Sequence, residues 1–91
     1  MALKETLPTV DELAELCLAV LAETPEQLAT FMGTAGLDAP GLRRSVGTRG
    51  LASGLIDYFV QNEPLLLQLC SQARLKPETV MRVWAKLNPA G

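Results

Sequence analysis

The side chains best suited to chemistry in this 91-residue chain are two thiols, Cys17 and Cys70, and one acid set among apolar neighbours, Asp57. The thiols sit inside apolar runs, without CxxC spacing and without acids at ligand spacing beside them. They read as free, buried, small hydrophobes, and a metal or redox role would require both to be reachable. Asp57 lies between Ile56 and Tyr58 in the most apolar stretch, where burial would mark a functional site. The expected reading is structural: an exposed strip or an arginine partner. Histidine is absent, which removes the commonest general base, the commonest metal ligand and every Ser/His or Cys/His pair. The glycines do not form a phosphate loop after a strand. The chain therefore reads as a non-enzyme, with no catalytic residue, no metal, no cofactor and no small-molecule ligand expected.

A second group, Arg74, Lys76, Thr79, Arg82 and Lys86, suggests a macromolecular ligand. Leu69, Cys70, Leu75, Val80 and Val83 mark two helices joined by a turn of three or four residues. Over residues 65–87 this spacing resembles a DNA-binding helix-turn-helix. In that family the second helix enters the major groove, which would place Glu78, Thr79, Arg82, Ala85 and Lys86 on the reading face and Arg74 and Lys76 near phosphates. Against it stand an acid on that face, an acidic chain, and Arg74 at the turn position where such motifs usually have glycine. Trp84, the only tryptophan, reads as a core anchor; exposed, it would be a binding hot spot.

The elements that must position these residues are helices. Hydrophobic content is 48% and aromatic content 4%, so a core of Leu, Val, Ala and Met is available and suits helix against helix. Leu51, Leu55, Tyr58 and Phe59 repeat at helical spacing, with Ala52, Ile56 and Val60 widening the stripe, so this helix belongs at the centre. Upstream, residues 1–8 read as a flexible arm. Thr9 and Glu12 have capping-box spacing, and Thr24 with Gln27 repeats the device beside Pro25. Leu28, Phe31, Met32 and Ala35 give the second helix one buried side, and Gly36 supplies a left-handed cap. A short third helix from Asp38 turns Leu42 and Val46 inward and Arg43 and Arg44 outward, and Gly47 closes it. Thr48 caps the central helix. Gly50 and Gly54 within it suggest close crossing by another helix. Asn62 caps the fifth helix, which buries Leu66, Leu69, Cys70 and Ala73. Pro77 starts the sixth, with Val80, Val83, Trp84 and Leu87 on its inner face. The expectation is an all-α, compact, single-domain bundle of about five to six short helices over residues 9–88.

The net charge of −2 hides two halves of opposite sign. Residues 1–40 carry seven acids and one base, and residues 41–91 carry seven bases and three acids. Such a surface can meet an acidic partner or a phosphate backbone with its basic side. The longest apolar run near the N-terminus, residues 16–22, is too short to span a bilayer and follows acids where a signal peptide would be basic, so no membrane association and a cytoplasmic location are expected.

The order and spacing of residues 21–28 (Leu-Ala-Glu-Thr-Pro-Glu-Gln-Leu), 31–37 (Phe-Met-Gly-Thr-Ala-Gly-Leu), 55–59 (Leu-Ile-Asp-Tyr-Phe) and 63–66 (Glu-Pro-Leu-Leu) carry a likeness to a known family. Across residues 13–87 the chain resembles the small bacterial proteins called Domain of Unknown Function 3572. It departs from them at residues 47–50, Gly-Thr-Arg-Gly, where members tend to have an acidic cap and a small apolar entry. The resemblance implies a small helical protein and transfers no catalytic or binding residue. The leading expectation is a protein-protein interaction module whose unknown partner could be a second copy of the chain, motivated by the missing catalytic residues and the high apolar fraction. The alternative is DNA binding through the pair at residues 65–87.

Overall fold

The Thr9 hydroxyl accepts from the Glu12 N–H at 3.0 Å while the Thr9 N–H donates to the Glu12 carboxylate at 2.9 Å. Two donors that a first helical turn leaves open are thus satisfied reciprocally, and a helix begins. The computed structural model describes residues 7–89. Six helices follow one another: α1 (Val10–Ala22), α2 (Pro25–Ala35), α3 (Ala39–Ser45), α4 (Arg49–Val60), α5 (Glu63–Ala73) and α6 (Pro77–Leu87), with no strand among the described residues. Asp38 accepts from the Gly41 N–H at 2.7 Å to open α3. Thr48 accepts from the Leu51 N–H at 3.2 Å and donates to the Ser45 carbonyl at 2.6 Å, joining the end of α3 to the start of α4. Gly36, at φ 70°, lets the Leu37 N–H reach the Met32 carbonyl at 2.8 Å, the left-handed ending expected for α2.

Helix α4 is the hub. It buries Leu51, Ala52, Leu55, Ile56 and Phe59 and packs on α1, α5 and α6. Its contact with α1, which buries Leu13, Ala14, Cys17, Val20 and Leu21, is the broadest in the fold. Helix α5 adds Leu65, Leu66, Leu69 and Cys70, and α6 adds Val80 and Val83. Each fully buried large aliphatic or aromatic side chain contributes roughly 1.5–3 kcal/mol, so these four helices supply most of the stability. Helix α2 is pinned by a single buried ring, Phe31, which meets Tyr58 edge-on at 5.3 Å, and Ala35 at the end of its expected stripe is exposed. No described helix is long and apolar enough to cross a membrane. Residues 1–6 of the expected arm lie outside the described residues, while Leu7 is half-buried against the core.

Four further expectations need correction. Thr24 does not cap α2; its hydroxyl donates back to the Val20 carbonyl at 3.0 Å. Asn62 does not cap α5; its amide donates to the Tyr58 carbonyl at 2.7 Å. The reason is backbone geometry. Thr9, Asp38 and Thr48 have ψ of 164°, 179° and 152°, which aims their side chains over the next first turn, whereas Thr24 and Asn62 sit in two-residue links at ψ 80° and 92° and close the preceding helix instead. Val46 does not point inward. It ends α3, the chain turns away after it at ψ 132° so that nothing following covers it, and its side chain is 55% exposed. Finally, no helix crosses at Gly50 or Gly54, where an added Cβ would meet nothing within 4 Å.

With open space and helical backbone, Gly50→Ala and Gly54→Ala each stabilise the fold by about 0.5–1 kcal/mol, since alanine has less unfolded-state entropy to lose. Urea denaturation midpoints should rise for both, with unchanged slopes.

Candidate functional site

Of the residues singled out for DNA contact, Arg74 and Lys76 lie in the α5–α6 turn and Thr79, Arg82 and Lys86 lie along α6. Arg74 ends α5 in the left-handed conformation, φ 57° and ψ 45°, and is the one non-glycine residue with positive φ among those described. The Leu75 N–H then donates to the Cys70 carbonyl at 3.0 Å. Arginine thus makes the bend that glycine usually makes, at a strain of roughly 1–2 kcal/mol. Arg74, Lys76, Arg82 and Lys86 are exposed and Thr79 is half-buried. Glu78, Met81 and Ala85 share the outer side of α6 with them, so the surface is basic but interrupted. Arg82 and Lys86 stand one helical turn apart.

Asp57 and Trp84 form a tether. The half-buried Asp57 carboxylate accepts from the Trp84 indole N–H at 3.0 Å, which fastens α4 to α6 through an indole and not an arginine, and from the amide of Gln61 at the end of α4 at 2.8 Å. Trp84 is half-buried against the core, with its polar edge committed to that bond. Cys17 and Cys70 are both buried and free. Burial, and then the neighbouring Cys70, pushes the Cys17 thiol up to about 12. The Cys70 thiol is also raised, by burial first and by Glu78 second. Both therefore stay protonated and covered, the opposite of what a reactive or metal-binding thiol needs. No group of three or more His, Cys, Asp or Glu residues among those described could hold a metal ion.

The sequence reading missed a cleft between α1 and the start of α4, with a volume of about 70 Å³. Ala14, Leu51, Ala52 and Leu55 line it from the core side, Leu18 and Val46 stand at its apolar edge, and Asp11 and Glu15 edge it along α1. Its depth comes from residue size: Ala14 and Ala52 stop short where larger side chains would fill the gap. Asp11 and Glu15, exposed and four residues apart, place two acidic side chains on the same face, with Cβ atoms about 6 Å from each other. Their spacing was legible in the sequence, but Val46 opposite them was not.

The tether should show as coupling. Trp84→Phe and Asp57→Ala each destabilise by about 1–2 kcal/mol, and the double variant should cost less than their sum by about 1 kcal/mol in a denaturation cycle. Additive losses would mean the bond contributes nothing. The thiols give a pH dependence: an ordinary thiol loses its proton near 9.0 and folded Cys17 near 12. Between those values the unfolded chain has released a proton that the folded chain retains, so stability declines with rising pH across this window and levels off above it. Cys17→Ala should show a shallower decline when denaturation is followed from neutral to strongly alkaline pH.

No curated protein and no solved structure matches the chain. Residues 9–90 match the family described as protein of unknown function (DUF3572). The match spans nearly the whole helical domain and agrees with the likeness carried by residues 13–87, and the chain belongs to that family.

Proposed function

We propose that this chain is a non-enzymatic protein-interaction module and that the α1–α4 cleft is its receiving surface. The observation that supports this most is Val46, 55% exposed at the edge of an apolar cleft just past the end of α3. Apolar surface edged by charge is what a partner's side chain needs to lose water and be oriented at once. Two free thiols suit a reducing cytoplasm as the place where this happens.

DNA binding is the second reading, favoured by the left-handed bend at Arg74 and by the exposed Arg74, Lys76, Arg82 and Lys86. Glu78 and the exposed Met81 on the same side weigh against it, because neither gains from a phosphate backbone.

A photo-crosslinking residue placed at position 46 and, separately, at position 82 of the intact chain in living cells separates the two. Protein adducts from position 46 support the interaction reading, and their absence there sinks it. Nuclease-sensitive adducts from position 82 would move the DNA reading to the front.

A further inference from the structure

The outer side of α6 carries the complement of the α1–α4 cleft. Arg82 and Lys86 are exposed and four residues apart, the same one-turn spacing that separates Asp11 from Glu15 on α1. Beside the two bases, Met81 is 39% exposed, on a helix that otherwise keeps its large apolar residues on the inner side. Beside the two acids lies the apolar cleft, with exposed Val46 at its edge. The chain's own α6 does not occupy this cleft, whose lining comes from α1, α4 and residues 46–48.

We propose that the occupant of the cleft is a second copy of this chain, which lays α6 along α1 so that Arg82 and Lys86 meet Asp11 and Glu15 while Met81 enters between Leu18 and Val46. This rests on the interaction reading above and names its partner. Methionine suits a shallow cleft because its unbranched thioether adapts to an irregular space. The paired charges set register and orientation, and the burial of Met81 and Val46 supplies the driving force. Donor and acceptor are different patches, so copies add head to tail through a heterologous contact, or two copies make the contact twice about a two-fold axis and close as an isologous dimer, with α6 kept in its own core in both cases. The opposite signs of the two halves of the sequence then have a common purpose. The acids of one copy face the bases of the next.

Charge reversal with mixing tests this on the full chain. Sedimentation velocity at low salt should show wild-type mass rising with concentration, and the association should weaken as salt screens the pairs. Asp11→Lys with Glu15→Lys, and separately Arg82→Glu with Lys86→Glu, should each weaken self-association about tenfold or more. All four side chains are exposed, so circular dichroism should show wild-type helix content in both variants. An equimolar mixture should regain association, since each reversed surface then finds its opposite on the other variant. Wild type that remains monomeric at about 1 mM, a concentration that would reveal even weak binding, overturns the proposal. So does association that both reversals leave unchanged, or a mixture that fails to recover it. If wild type is monomeric but position 46 still crosslinks to a different protein in cells, the receiving cleft stands and only its occupant is wrong. If position 46 crosslinks to nothing, the interaction reading falls as well.

Discussion

The contact between α1 and α4 is the constraint on which the rest of the fold depends. Leu13, Cys17 and Leu21 on one helix and Leu55, Ile56 and Phe59 on the other are all at most 1% exposed, and both helices also pack against α5. Neither helix could remain in water with such a face uncovered, and at 13 and 12 residues neither would be stable alone. Their mutual burial sets the frame. The other helices take their places against it, α6 with the added Asp57–Trp84 bond and α2 through the buried Phe31 with the half-buried Leu28 and Met32 beside it.

The same contact produces the cleft. Where two helices meet through alanines, as at Ala14 and Ala52, the outer margin of the contact is left shallow, and the chain returning from α3 brings Val46 to its edge. The margin of the α1–α4 contact is therefore an open, partly apolar surface. The cleft's charged groups, Asp11 and Glu15, are exposed on α1, and Thr48 is the uncharged polar side chain among its lining residues.

Polar side chains between the helices are used economically. Thr24, Asn62 and Asn88 each turn back to satisfy a carbonyl at the end of the preceding helix, and Thr48 serves both sides of its link. Short links allow this, because the last carbonyls and the next amides lie within reach of one side chain. Arg74 accepts backbone strain for the same end: a bend tight enough for α6 to pack on both α4 and α5. No buried side-chain nitrogen or oxygen among the described residues lacks a partner.

Much of the architecture was legible from residue types alone. The Thr9–Glu12 box, the glycine after α2, Thr48 before α4 and the prolines near the starts of α2, α5 and α6 act within a few residues of themselves, so local chemistry sufficed to place the helices. The apolar stripe of α4 required neighbours on most of its surface and so announced a bundle. What local spacing could not decide was the direction of a side chain whose backbone is set by packing. Thr24 and Asn62 had the composition of caps, yet ψ near 80–90° in their links sent them backwards. Gly50 and Gly54 looked like a crossing point, but which helix passes over a given turn is a long-range outcome, and none passes there. Asp57 and Trp84 are 27 residues apart, and only the packing of α6 on α4 brings them to 3.0 Å. The cleft is of the same kind: Asp11 and Glu15 share a face by helical period alone, but Val46 reaches their neighbourhood only because the tertiary fold brings residues 46–48 and the start of α4 to the side of α1.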